Sequence, residues 1–426
     1  MEMTSGEFFD AFSEGMLRGV VWNTDTIQRA TECLTFSSDL RLTELALIGN
    51  QFHDEVSFRA VLQLLAQRKE LARFSISLSD LSFALEGLAN VFRNHSTLQE
   101  LELIGTCERI RDDVAIYLRQ LVQIPTKSLS ISFNLAQGDY GSCLLAIRQG
   151  LDDLRRRGIT EQRLPRICFR NVSFPNHKMF LHRFMAMLCE AQCVNCLQLN
   201  PRRRRHASAS DSMRVKQMFL QAVARLLAFG NVQSLEIMSI VVDGPVEPRI
   251  VNEFYHALLG NTTLQRLSMP STKGLDILWQ QAIFPALTVN RTVRQLEFGH
   301  EMGCLPSFLD HLPLMKGLQS IQAPWRAHHG PEWVGAVQQS QHLTHVNFVM
   351  TPNVHSKTEE TTEDVCLTQT RQLLERNRLI QIAREMIKME PEPGQLMQGL
   401  AGMTCLEVGL DARFVLLRDS LALFAR

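Results

Sequence analysis

The sequence predicts an α/β solenoid, with parallel strands on a concave face and helices on a convex face. Three observations predict it. An aliphatic-x-x-aliphatic-x-aliphatic pattern recurs eleven times, from Leu42/Leu45/Leu47 to Leu343/Val346/Phe348. Its steps average about 30 residues, a period that random leucines would not keep. The segment after each run is helical in pattern. Val56, Val61, Leu64 and Leu65 follow the first run, and Phe219, Val223, Leu226 and Leu227 follow a later one. Spacings of three and four put each set on one helical face. One unit cannot bury its own apolar face, so stacked neighbours must supply the core.

The runs begin at Leu42, Leu71, Leu98, Thr126, Leu164, Val194, Val232, Leu264, Val293, Leu318 and Leu343. Each should be a short strand. A weaker match, Leu17/Val20/Trp22, lies one such step upstream of the first and reads as a degenerate unit. It falls within an expected N-terminal helical cap, residues 1–35, ahead of a solenoid spanning 36–355. The two longest steps, from Thr126 to Leu164 and from Val194 to Val232, carry insertions, one including residues 152–163 and one including 201–212. Both are expected to be surface loops. Beyond the last run, residues 365–389 are strongly helical in pattern and Pro391–Gly394 ends them. Shorter helical patterns follow near 395–402 and 411–425. Residues 356–426 are expected to form a C-terminal helical cap, because terminal repeats must cover an exposed core.

The L-x-x-L-x-L signature with a long helix per unit resembles leucine-rich repeats of the ribonuclease-inhibitor-like subtype. The phrases NHSTLQELEL, GNTTLQRLSM and NRTVRQLEF carry that likeness best. The resemblance covers residues 42 to about 350. The asparagine at the ninth position of the signature is present only at Asn50 and Asn134. The resemblance implies a horseshoe whose concave face binds another protein. It says little about which one, because the scaffold carries many functions.

Composition narrows the function class. Lysine plus arginine and aspartate plus glutamate are 44 each, so no whole-chain field would draw in nucleic acid. With 45% hydrophobic residues the chain is not a disordered one. No stretch approaches the ~18 uninterrupted apolar residues of a membrane span. The opening MEMTSGEFFDAF has neither a basic nor an apolar leader region, so no general-secretion signal is expected. Ten scattered cysteines and seventeen methionines suit a reducing cytosol. A cytoplasmic location is therefore expected. Asn94, Asn171, Asn261 and Asn290 each head an Asn-x-Ser/Thr triplet. Three of them sit three or four residues before a Leu/Val-x-x-Leu run, and the four read as helix-ending asparagines in the left-handed conformation rather than as glycosylation sites.

Strand side chains alternate, so the residues between the pattern aliphatics line the concave face. Its charged members are Glu44, Arg73, Glu100, Glu102, Arg166, Arg170, Glu236, Arg266 and Glu297. These are the candidate protein-binding residues. The signs are mixed, and the large aromatics of interface hot spots are missing. A second candidate is the basic loop Arg202, Arg203, Arg204 and Arg205, which reads as a nuclear import patch, a phosphate contact or a solvated loop. Ser208 beside it suits phosphorylation, which would oppose that charge. No aromatics are interleaved with the arginines, so base stacking is unsupported. A second basic cluster is Arg155–Arg157.

Cys168, Cys189, Cys193 and Cys196 could supply four thiolates to zinc, but cysteine is also a common small core filler. Neither metal nor cofactor is expected. No G-x-S-x-G, H-E-x-x-H, P-loop or dinucleotide glycine pattern occurs, so the chain is expected not to be an enzyme. The expected function is a monomeric, non-catalytic scaffold that binds a protein, not a membrane and not nucleic acid. Two alternatives stand beside it. One is a bacterial virulence effector that binds a host protein inside the host cell. The other is a GTPase-activating regulator, because LALIGNQFHDEVSFRAVLQLL resembles a repeat of the Ran GTPase-activating proteins with Asn50 at the matching position. A ubiquitin ligase of the design that appends a catalytic domain to such repeats is rejected, since the stretch after the last repeat is too short for such a domain.

Overall fold

The computed structural model describes residues 7, 10–11, 14–18, 20–22, 24–36, 42–48, 51–52, 55–78, 84–106, 112–134, 140–174, 178–201, 209–238, 244–270, 273–298, 303–325, 329–350 and 360–388. They divide into two compact units, residues 1–239 and 240–426. In the first, the strands are β1 (Met16–Arg18), β2 (Val21–Trp22), β3 (Glu44–Ile48), β4 (Gln51–Phe52), β5 (Arg73–Leu78), β6 (Glu100–Thr106), β7 (Ser128–Asn134), β8 (Arg166–Phe174), β9 (Cys196–Pro201) and β10 (Ser234–Ile237). They alternate with helices α1 (Thr24–Phe36), α2 (Glu55–Ala66), α3 (Ala84–Phe92), α4 (Asp112–Val122), α5 (Tyr140–Arg156), α6 (Lys178–Ala191) and α7 (Ala209–Phe229). The second unit holds α8 (Pro248–Gly260), β11 (Arg266–Met269), α9 (Asp276–Leu278), α10 (Phe284–Val289), β12 (Gln295–Phe298), α11 (Leu305–His311), β13 (Ser320–Trp325), α12 (Gly330–Gln339), β14 (His345–Met350) and α13 (Glu360–Lys388).

All eleven pattern runs are strands, and a twelfth, β1, precedes them. In the first unit the parallel order is β1-β3-β5-β6-β7-β8-β9-β10; in the second it is β11-β12-β13-β14. This is the strand–helix alternation of a leucine-rich-repeat solenoid. Leu45, Phe74, Leu101, Leu129 and Ile167 are consecutive register partners, and all are buried. Such a ladder stabilises the stack by roughly 1.5–3 kcal/mol per buried side chain. Helices close the inner side. On α2 the buried stripe is Phe58, Val61, Leu62 and Leu65, whereas Val56 is 75% exposed. The helix is therefore rotated from the face expected with Val56 inward. On α7 the expected stripe Phe219, Val223, Leu226 and Leu227 is buried.

The degenerate N-terminal unit is real but differently registered. Leu17 pairs with Leu47, the third pattern position of the next strand, instead of with Leu42, the first. Val21 and Trp22 pair with Gln51 and Phe52 in a separate two-stranded ladder. The step from Leu17 to Leu47 is thus close to the mean of the others. Leu17, Val20 and Trp22 are nonetheless all buried, so burial alone does not distinguish the two registers.

Both inserted segments are partly taken up by strand or helix instead of lying wholly in surface loops. Residues 152–156 are the last turns of α5, and its end is closed at Gly158, whose φ is +82°. There Gly158 N–H donates to the Arg155 carbonyl and Ile159 N–H to the Leu154 carbonyl, a double closure that satisfies the helix's last carbonyls. In the other insertion Pro201 belongs to β9 and α7 begins at Ala209. Helix α13 covers residues 360–388, matching the helical pattern at 365–389; the patterns near 395–402 and 411–425 lie outside the described residues.

The asparagine triplets have a structural role in an extended backbone, not the left-handed one expected. Asn261 and Asn290 have φ of −74° and −63°. The Asn261 Oδ1 accepts from the N–H groups of Thr263 and Leu264, and the Asn290 Oδ1 accepts from those of Thr292 and Val293. The Asn290 Nδ2 donates in turn to the carbonyls of Leu258 and Asn261, tying one repeat to the previous one. The exposed Asn94 does not play this part; its neighbour His95 does, with Nδ1 accepting from the Leu98 N–H. Asn377 of α13 repeats the device at the last turn, donating to the carbonyls of Ser340 and Leu343. Buried carbonyls left without such donors would be costly.

Candidate functional site

Opposite the helices, the strand residues between the buried aliphatics form one open polar face in each unit. In the first unit, register places Glu44, Arg73, Glu100, Ser128 and Arg166 side by side across β3, β5, β6, β7 and β8. Arg73 bridges two carboxylates, 3.1 Å from Glu44 and 3.2 Å from Glu100. One rung along, Ser75, Glu102, Ser130, Cys168 and Cys196 are consecutive partners. Glu102 accepts from the Ser75 hydroxyl at 3.0 Å and from Arg170 Nη1 at 2.7 Å. Arg170 stands on β8, so its side chain crosses β7 to reach β6. It can do so because the β7 residues beneath it, Ser128, Ser130 and Ser132, are small. These pairs are largely exposed, so their charges are screened and each contributes at most about 1 kcal/mol.

Glu236 of β10 is half-buried, beside its register partner Gln198. In the second unit, Arg266 stands opposite Gln295 in register and reaches diagonally along β12 to Glu297, forming a two-pronged pair at 2.9 and 2.8 Å. All nine charged residues expected on the concave face therefore stand on the strands predicted for them. Several of the small residues between them are buried instead of solvated: Ser130, Ser132, Cys168 and Pro324.

The join between β8 and β9 departs from the repeat alignment. By pattern, Arg166 should face Cys196, and Cys168 should face Gln198. Instead Cys168 is the partner of Cys196, and Phe169 of Leu197. The strands are displaced by two residues, and a further irregularity follows between Phe169 and Val172, where Arg170 and Asn171 together oppose Gln198. This is a β-bulge, which re-aims the side chain it carries.

Two thiols therefore meet on the open face. The Cys196 pKa is lowered to about 6, chiefly by the hydrogen bond from Cys168, with further help from the charges of Arg166 and Arg170 against partial burial. Arg166 Nη2 lies 3.7 Å from its sulfur. The Cys168 thiol is pushed up, by its bond to Cys196 and by burial. The other two cysteines of the candidate zinc set point elsewhere. The Cys193 thiol faces the Leu144 carbonyl and burial pushes its pKa to about 11; the Cys189 thiol faces the Arg225 carbonyl. Among the described residues no three His, Cys, Asp or Glu side chains gather as a metal set.

On the helical side, α4 and α5 border a groove of about 500 Å³ lined by Arg93, Ile116, Arg119, Gln120, Gln123, Asp153, Arg156 and Arg157. Asp153 holds Arg119 at 2.6 Å and Arg156 at 3.5 Å. Arg155 turns away to Asp152 and Glu161. The cluster Arg155–Arg157 is thus split among internal partners instead of forming one patch. Arg202, Arg203, Arg204 and Arg205, and also Asn50, lie outside the described residues. No helix among the described residues is long and apolar enough to cross a membrane.

No family model matches the chain, and no curated protein matches it. Among solved structures, it is similar to the leucine-rich repeat-containing protein LegL7 from Legionella pneumophila. The two are 12% identical, the match covers 84% of this chain and 97% of that one, and the TM-score is 0.38.

Proposed function

We propose that this leucine-rich-repeat protein is a non-catalytic scaffold that binds a protein partner through the open face of its strands. The observation that supports this is the charged ladder from Glu44 to Arg170. Its side chains are held in register, and Glu44, Arg73, Glu100, Arg166 and Arg170 are all exposed. The apolar residues of the same strands face inward, so the ladder is not needed to build the core. Charges arranged in this way select a partner by complementary sign and set its register more than they add affinity. The alternating signs of Glu44, Arg73 and Glu100 favour a partner surface that itself alternates in charge over a strand spacing of ~4.8 Å.

The test is quantitative affinity purification with the full chain and with a variant carrying Arg73→Ser, Glu100→Gln, Glu102→Gln and Arg166→Ser. The expected outcome is loss of the specific partner by tenfold or more, with an unchanged far-UV circular dichroism spectrum. If every captured protein persists on a folded variant, the open face is not the binding surface.

A further inference from the structure

We propose that Cys196 and Cys168 form a peroxide-reactive dithiol on the open face, with Cys196 as the nucleophile and Cys168 as the resolving thiol. The inference stands on the placement of the two strands and does not rest on the scaffold reading. Cys168 and Cys196 are direct partners on neighbouring parallel strands. That spacing, ~4.8 Å, falls inside the 4.4–6.8 Å between Cα atoms that a disulfide spans. The two-residue displacement of β9 is what makes them partners, and the bulge beginning at Arg170 interrupts the ladder just beyond them.

The two thiols differ in the way that division of labour requires. Cys196 is partly exposed and has Arg166 Nη2 at 3.7 Å. Cys168 is 7% exposed and lies beneath the surface, with the Ser128 hydroxyl 3.9 Å from its sulfur. Arg166 and Cys168 of β8 and Ser234 of β10 face Cys196; Glu236 of β10 stands one rung along, opposite Gln198, and Arg170, whose guanidinium is paired with Glu102, adds a smaller positive influence from further off. A thiolate in such surroundings is the form that reacts, and its lowered pKa keeps it populated near neutrality. Among the other described cysteines, Cys143, Cys193, Cys304 and Cys366 are buried, and burial raises Cys189.

The chemistry needs a hydroperoxide as oxidant. The Cys196 thiolate attacks one peroxide oxygen. An S–O bond forms, the O–O bond breaks, and hydroxide or alkoxide leaves. Cys196 is then a sulfenic acid, oxidised by two electrons, and the peroxide is reduced by the same two. The Cys168 sulfur next attacks that of Cys196. An S–S bond forms, the S–O bond breaks, and the hydroxyl departs with the Cys168 proton as water. A small-molecule thiol reverses the disulfide by exchange.

The experiment treats the folded full chain with stoichiometric hydrogen peroxide, blocks free thiols, and maps peptides without reduction. A Cys168–Cys196 disulfide that dithiothreitol removes is the expected product. Cys168→Ser should leave a Cys196 sulfenic acid that dimedone traps, and Cys196→Ser should abolish both products. Independently, iodoacetamide at pH 7 should alkylate Cys196 at least about fivefold faster than Cys189, whose exposure is similar. Alkylation of the two at equal rates, or peroxide treatment that leaves Cys168 and Cys196 unlinked in a folded chain, overturns the proposal. The alkylation readout needs no variant, so a variant that fails to fold does not blunt the test.

Discussion

Between β7 and β10 the helices are long, 17, 14 and 21 residues in α5, α6 and α7; between β12 and β14 they are short, 7 and 10 residues in α11 and α12, and between β11 and β12 the helical segment runs from Asp276 to Val289 through a π turn. The filling changes with them. The longer repeats pack mainly aliphatic side chains, such as Leu144, Ile147, Leu188, Leu220 and Leu227. The shorter ones pack a chain of rings: Trp279, Phe284, Phe298, Phe308 and Trp333 touch in succession at centroid distances of 4.9–6.3 Å. A short repeat must span the gap from strand to helix with fewer residues, so each must be larger. Trp279 even sits in a π-helical turn, Trp279–Ile283, a local widening that places its ring against Phe298. The contrast extends to the strands. The first unit carries the charged ladder and the thiol pair, and the second carries the bidentate pair Arg266–Glu297. The two units thus differ both in the length of their repeats and in the chemistry of their strand faces.

That contrast can be broken most directly at the ring chain. Phe284→Ala should cost roughly 3–5 kcal/mol, because it removes contacts to Trp279, Phe298 and Phe308 at once and leaves a cavity among them. Urea denaturation followed by tryptophan fluorescence reads it, since Trp279 and Trp333 report this unit; a loss under about 1 kcal/mol would show that the rings are not its main filling. The turn ladder gives a sharper comparison. Asn290→Ala should cost about 1–3 kcal/mol, because it takes the Oδ1 acceptor from the Thr292 and Val293 N–H groups and the Nδ2 bonds from the carbonyls of Leu258 and Asn261. His95→Asn, which installs the second unit's residue in the first, should stay within about 1 kcal/mol, whereas His95→Ala should behave like Asn290→Ala. Equal losses for His95→Asn and His95→Ala would mean the two turns are not equivalent. The smallest effect is expected at Ser130, whose hydroxyl is buried without a hydrogen-bond partner. Ser130→Ala should be neutral or stabilise by up to about 1 kcal/mol in the same denaturation experiment, since the lost hydroxyl was already unpaired.

Much of this is legible from residue order. The eleven strands follow from the spacing of the aliphatics, and the nine charged face residues follow from strand alternation. The face of α2 is ambiguous in sequence because Val56 and Phe58 are both apolar and either could open a helical stripe. The asparagines are ambiguous because a helix-ending Asn has a second use besides the left-handed turn. Its side chain can accept the next turn's N–H groups while its own backbone stays extended. The registers of β1 and of β9 are not legible. Each can slide along its neighbour while keeping apolar side chains inward, as Leu17 and Val20 both show.

Sequence by itself determined that this protein is a stack of strand–helix repeats and which side chains can face away from the core, because those depend on periods of about two and 3.6 residues along a single chain. The tertiary structure alone decided which residues become neighbours across the strands. A shift of two residues preserves the inward and outward alternation, so no local pattern penalises it. That shift is what sets Cys168 beside Cys196. It depends on how β8, β9 and the helices that follow them pack together, a property of several repeats at once and not of any one of them.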